Sequence, residues 1–309
     1  MAETKSYDVG VIGGGGAGLT AALYTSRANL KTVLIEKLTS GGQIALTDIV
    51  ENYPGFPSGV TGPEISMKME EQAKRYGTEI IFEQVEQIAK KEKQFEIKTA
   101  SNRYQSKAVI LALGSSFRKL GVEGEKELTG HGVSYCATCD GAFFKDKSIL
   151  VVGGGDSALQ EGLFLTRFAR KVQVIHRRDQ LRAGPILQKR AEENPKIEFI
   201  WNTVVTKILG EKKVESVILK DVKTGAEKQA PAEGVFIFIG HDPNSGFLKG
   251  VVDLDEKGYV VTQGHLKTSV PGIFAAGEIR SGSTRQLIAA CGEGCEAALS
   301  AQAYLEEKN

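Results

Sequence analysis

The chain of 309 residues is long enough for about two domains, each able to bury a core of its own. Its 39 basic and 38 acidic side chains leave a net charge of +1, so no general electrostatic attraction draws it to nucleic acid or to an anionic membrane surface, and neither is expected as a partner. The 36 glycines exceed the roughly 7% average, without any collagen-like period, and gather at a few loops where backbone must approach backbone or ligand.

The start, Met1 to Tyr7, is polar and lacks the basic and apolar regions of a signal peptide, which makes a cytoplasmic location the expectation. Tyr7 to Ile12 (YDVGVI) reads as a short buried strand, followed by GGGGAG (Gly13 to Gly18) and the helical run LTAALYTSRA. The spacing Gly13, Gly15, Gly18 is the dinucleotide fingerprint: tight turn, close approach to a pyrophosphate and helix packing each exclude a side chain. The helix N-terminus then offers free amides and a positive dipole end to phosphates. A second strand, Thr32 to Ile35, ends at Glu36, 23 positions after Gly13, where a carboxylate can bind both hydroxyls of a ribose. Apolar runs further on, such as Ala108 to Leu113, fall far short of the about 20 residues that a membrane-spanning helix needs, so no membrane association is expected.

Next comes Cys136-Ala137-Thr138-Cys139, followed by Asp140. Two thiols at this spacing can close a small disulfide, and a thiolate of lowered pKa would serve exchange, with Asp140 a candidate proton donor and acceptor. The alternative is half of a zinc site completed by Cys291 and Cys295. Their three intervening residues on a helix-like run are unusual for zinc, so both read as inert buried thiols and no metal is expected.

The strand, glycine turn and helix then recur. Ser148 to Val152 (SILVV) is a strand, GGGDSA (Gly153 to Ala158) repeats the turn with Ala158 as the third small residue, and ALQEGLFLTRFA is a helical run. Lys171 to Ile175 runs into His176, again 23 positions after the first glycine, Gly153. Here His176, Arg177 and Arg178, with Arg182 one turn on, replace the acid. They remove its repulsion of a 2′-phosphate and supply bidentate donors, which favours NADPH over NADH. Two dinucleotide sites suit a resident flavin and a transient nicotinamide better than a simple dehydrogenase.

Strands resume with Gly234 to Gly240 (GVFIFIG), and Ile273 to Ala276, followed by Gly277 and Glu278, reads as a last strand returning to the first nucleotide. The fold expected is α/β, with two Rossmann-like three-layer nucleotide-binding domains: residues 1–116 and 246–309 form one, and residues 117–245, carrying the cysteine pair, are inserted into it. The crossings near Gly114 to Phe117 and Gly240 to Asn244 are candidate hinges for a rotation of the inserted domain.

GGGGAG, CATCD, GGGDSA and HRRDQLRA, in this order over nearly the whole chain, resemble the low-molecular-weight, bacterial-type thioredoxin reductases of the pyridine nucleotide-disulfide oxidoreductase family. The resemblance extends to GGQ (Gly41, Gly42, Gln43), to ENYPGF with Asn52, and to IGHDPN at the second crossing. It implies FAD in the first domain, held by Gly13, Gly15, Gly18, Glu36, Gly41, Gly42, Gln43, Asn52, Gly277, Glu278, Arg285, Gln286 and Leu287. It implies NADPH in the inserted domain, at Gly153, Gly155, Asp156, Ser157, Ala158, His176, Arg177, Arg178 and Arg182. It further implies a homodimer with thioredoxin as disulfide substrate, Cys139 facing the flavin, Cys136 attacking thioredoxin and Asp140 as acid and base. A related flavoprotein serving another thioredoxin-like or peroxide-reducing partner is the alternative. The chain departs from the family pattern at Glu278, where an aspartate is usual, at Thr284, where tyrosine is common, and at Cys291, where a small residue is usual.

Overall fold

The computed structural model describes residues 5–47 and 49–308. The chain divides into two compact units, Met1–Ser116 with Asp242–Asn309, and Phe117–His241. Residues 242–245 group with the first unit because Asn244 is tied there: its N–H donates to Gly114 O at 3.1 Å and its Nδ2 to Leu113 O at 2.9 Å.

In the first unit, Lys5–Ile12 lies between two parallel neighbours, Thr32–Glu36 and Arg103–Leu111, and Glu79–Phe82 extends the parallel order beyond Thr32–Glu36. Arg103–Leu111 is long enough to take two partners on its other edge. Its first half pairs antiparallel with Gln94–Thr99 and its last residues pair parallel with Ile273–Ala275. Val85–Lys91 adds a further antiparallel strand. Alternate residues face opposite ways, with Val33, Ile35, Val109 and Leu111 in one core and Leu34, Ala108, Ile110 and Phe274 in another. A sheet buried on both faces explains why its strands read as continuous apolar runs.

Helix Gly16–Arg27 follows the first strand and packs against helix Leu287–Glu306. Their contact is built from small residues: a Cβ on Gly294 would sit 2.2 Å from Ala17 O, so the two helices approach to a separation only glycine permits.

The second unit has a five-stranded parallel sheet, in the order Val133–Ser134, Val235–Phe238, Ser148–Gly153, Lys171–Ile175, Ile197–Ile200. Again alternate residues divide, Ile149, Val151 and Phe236 to one side and Leu150, Val152 and Ile237 to the other. Between its last two strands in sequence the chain forms a separate antiparallel sheet, Thr203–Leu209, Ser216–Asp221 and Glu227–Pro231. Among the described residues no helix is long and apolar enough to cross a membrane.

Candidate functional site

The first glycine turn is shaped by backbone crowding on one side and open space on the other. Gly13 lies at φ 103°, and a Cβ there would meet Ala112 O at 2.2 Å; a Cβ on Gly18 would meet Gly13 O at 1.8 Å. Turn and helix therefore seat against each other only without side chains. Gly15, the N-cap of the following helix, has nothing within 4 Å of its Cβ position and no capping side chain. That cradle, with the helix's first amides around it, fits a pyrophosphate. Glu36 stands at the end of the next strand, half-buried. Its Oε2 accepts the Gly14 N–H at 2.6 Å, and its Oε1 accepts those of Lys37 and Leu38 at 2.7 and 3.2 Å. A carboxylate has about four lone-pair sites, so acceptor capacity remains for ribose hydroxyls.

Gly41 and Gly42 take left-handed backbone, φ 105° and 55°, and Gly41 N–H donates to Gly14 O at 2.7 Å, bringing the GGQ segment to the turn. Gln43 Nε2 donates to Ser115 O at 3.0 Å, and Ser115 Oγ donates to Glu278 Oε2 at 2.6 Å. Sequence reasoning missed Ser115, which no local pattern marks. Gly277 N–H donates to Glu293 Oε2 at 2.7 Å, and Glu293 also pairs with Arg280, so the short turn carrying Glu278 is fixed from the last helix. Asn52 Nδ2 donates to Gln286 Oε1 at 2.9 Å. Arg285, at φ 57°, donates to the Tyr259 hydroxyl at 3.0 Å, and Leu287 opens the last helix with its side chain buried. The residues expected at the first nucleotide are thus gathered in the first unit.

Cys291 and Cys295 are free thiols; Cys291 is buried, with its Sγ 3.7 Å from Gly16 O, and burial pushes its thiol up. Among the described residues no group of three or more His, Cys, Asp or Glu side chains could hold a metal ion.

The second turn repeats the first with different side chains. A Cβ on Gly153 would meet Phe238 O at 2.4 Å, Gly155 again caps a helix facing open space, and Ala158 is fully buried. Ser157 is exposed on the first turn of that helix, and Asp156 Oδ1 accepts the Gly184 N–H at 2.6 Å. Arg177, Arg178 and Arg182 are exposed and make no ion pair among the described residues. His176, grouped with them by its place in the sequence, points inward: it is 5% exposed, and its Nε2 lies 3.0 Å from Gln180 O. Burial, together with the charges of Arg182 and Arg178, holds the imidazole below its ordinary pKa.

The cysteine pair follows strand Val133–Ser134. Cys136 is in the disulfide-bonded state, and Ala137–Asp140 forms a single helical turn; the side chain of Cys139 lies outside the described residues. Ser134 Oγ donates to Asp140 Oδ2 at 2.6 Å and accepts the Cys136 N–H at 3.1 Å. This buried serine, also unforeseen, ties the acid to the backbone of the first cysteine. Tyr135 donates its hydroxyl to Glu125 at 2.6 Å, and burial and that carboxylate push the phenol well above its usual range. Glu125 is itself buried and accepts the N–H groups of Leu120 and Gly121.

The pyridine nucleotide-disulphide oxidoreductase family pattern matches residues 7–294 of the chain. A thioredoxin reductase of Bacillus subtilis is 52% identical over 308 residues, covering 99% of this chain and 97% of that protein. Among solved structures, thioredoxin reductase of Lactococcus lactis superposes with a TM-score of 0.95 at 45% identity, covering 97% of this chain and 99% of that one. The enzyme of T. acidophilum gives 0.93 at 37% identity, covering 99% and 100%. With this likeness running the full length of both partners, the chain belongs to the pyridine nucleotide-disulphide oxidoreductase family and, within it, to the bacterial-type thioredoxin reductases.

Proposed function

We propose that the first unit binds FAD, that the second binds NADPH, and that the Cys136 and Cys139 pair is the internal disulfide that a bound flavin would reduce with the two electrons of NADPH. The activity itself is that of a thioredoxin-disulfide reductase, with thioredoxin the implied partner. The observation that carries the reading is the presence of two glycine turns, each with an open N-capping glycine, in one chain of this family. In domain terms, residues 1–116 and 242–309 are read as the FAD-binding part and residues 117–241 as the inserted NADPH-binding part.

A bound flavin supplies the relay between a nicotinamide and a disulfide. The chain's own residues bind, orient and exchange. Gly13, Gly15, Gly18 and Glu36 hold one nucleotide, with Gly41, Gly42, Gln43, Asn52, Gly277, Glu278, Arg285, Gln286 and Leu287 around the remainder. Gly153, Gly155, Asp156, Ser157 and Ala158 hold the other, and Arg177, Arg178 and Arg182 offer charged donors to a 2′-phosphate.

In the dithiol form, the Cys136 thiolate attacks one sulfur of the thioredoxin disulfide. That S–S bond breaks, a mixed disulfide forms, and the other thioredoxin sulfur leaves as thiolate. Cys139 then attacks the Cys136 sulfur, restoring the internal disulfide and releasing the second thioredoxin thiolate. Asp140, which accepts a hydrogen bond from Ser134 Oγ, is read as the group that passes protons to and from these sulfurs. A homodimer is part of the reading. The test is a visible spectrum of the purified protein: flavin bands bleached by NADPH, followed by thioredoxin reduction, support it, and a colourless protein would refute it.

A further inference from the structure

We infer that His176 is a positioning residue of the second nucleotide site: its buried imidazole clamps the arginine-bearing segment 177–182 against the glycine turn and leaves the ligand's phosphate to the arginines. This rests on the NADPH assignment above.

The ring occupies the space over the turn. A Cβ on Gly154 would lie 2.3 Å from its Nδ1 and 2.4 Å from its Cε1, so ring and glycine backbone are in direct contact. On its other flank Trp201 meets it edge-on, ring centroids 6.3 Å apart, and Trp201 is in turn stacked on Phe199 at 5.0 Å. Nε2 faces Gln180 O at 3.0 Å. A carbonyl can only accept, so Nε2 carries the hydrogen and donates it. That bond closes a loop of five residues, 176 to 180, and aligns the backbone carrying Arg177 and Arg178.

Two further ties act on the same segment. Arg182 N–H donates to Gly154 O at 2.7 Å and Gly184 N–H to Asp156 Oδ1 at 2.6 Å. The arginine side chains project from a backbone pinned to the turn at both ends, while the histidine is inside. Burial and the charges of Arg182 and Arg178 oppose an imidazolium and outweigh the backbone carbonyls of Gln180 and Gly153, which favour one. A segment ordered before the ligand arrives loses less freedom on binding, which is how such a clamp raises affinity for a 2′-phosphate without touching it.

The experiment uses the flavin-loaded protein with 2′,5′-ADP and 5′-ADP as probes, read by calorimetry, and nitrogen NMR of the imidazoles. The parent should bind 2′,5′-ADP more tightly. His176→Ala should weaken 2′,5′-ADP by roughly tenfold, the size of one lost net hydrogen bond, and 5′-ADP by much less. His176→Gln, whose amide can still donate to the Gln180 carbonyl, should recover most of the loss. In the parent at pH 7 the His176 ring should stay in its neutral, Nε2-protonated form with and without 2′,5′-ADP, a readout independent of how the variants fold. Protonation of His176 on adding 2′,5′-ADP, or a glutamine variant as weak as the alanine one, would overturn the clamp. Equal affinity of the parent for the two probes would instead overturn the NADPH assignment, and the ring's protonation state would still decide whether His176 is a clamp.

Discussion

The two glycine turns share a backbone and differ in what braces them. In each, the residue 23 positions after the first glycine reaches the second glycine: Glu36 accepts the Gly14 N–H, and the His176 ring lies against Gly154. In the first turn the brace is a half-buried carboxylate whose remaining acceptor capacity suits ribose hydroxyls. In the second it is a ring facing inward, and on the proposed assignment the charge offered to the ligand moves to Arg177, Arg178 and Arg182. The position therefore has a structural duty in both copies, and on the proposed assignment coenzyme selectivity follows from which polar groups that duty leaves over.

The largest effect expected from breaking the parallel lies at the third small position. Gly18→Ala drives a methyl into Gly13 O, a backbone atom that cannot step aside, whereas Ala158→Gly only removes a methyl the second turn already accommodates. Gly18→Ala should destabilise by more than about 3 kcal/mol and lose flavin, while Ala158→Gly should cost about 1 kcal/mol. Thermal unfolding and the flavin-to-protein ratio read both. An equally mild pair would mean that the turns are not seated as described.

Next in size is the charge difference. Replacing Arg177 and Arg178 by alanine should weaken NADPH roughly 10- to 1000-fold, at about 1.5 to 3 kcal/mol per charged contact, with NADH nearly unchanged. Steady-state kinetics with both coenzymes separates this from a general loss; equal losses would contradict the assignment.

The smallest concerns Glu278, the longer acid where the family usually has aspartate. Its Oε2 is already engaged by Ser115 Oγ at 2.6 Å, so the extra methylene is taken up by a local partner. Glu278→Asp should draw the carboxylate away from Ser115 and lower FAD affinity by about tenfold or less. Tighter binding in the variant would show that the glutamate is a misfit.

Much of this was legible in the sequence for a physical reason. A glycine demanded by an approach of 1.8 to 2.4 Å has no substitute, so Gly13, Gly18 and Gly153 announce themselves, and strands buried on both faces stand out as unbroken apolar runs. What stayed hidden depends on neighbours far apart in the chain. Ser115 meets Glu278 across 163 positions and Gln43 across 72, and neither separation leaves a local pattern. Ser134 beneath Asp140 is hidden for a different reason: a serine six residues before an acid is too common to mark a contact. The inward turn of His176 leaves no mark in the sequence either, because three adjacent basic residues look alike there, and only the Trp201 wall and the Gly154 space distinguish the first from the other two.

The relay from the second turn, through the first, to Cys136 is tested most directly by anaerobic titration of flavin-loaded Cys136→Ser with NADPH, followed at the flavin bands and by thioredoxin turnover. Full bleaching of the flavin with thioredoxin reduction abolished is the expected result. Thioredoxin turnover close to that of the parent protein, or a flavin that NADPH no longer reduces, would contradict it.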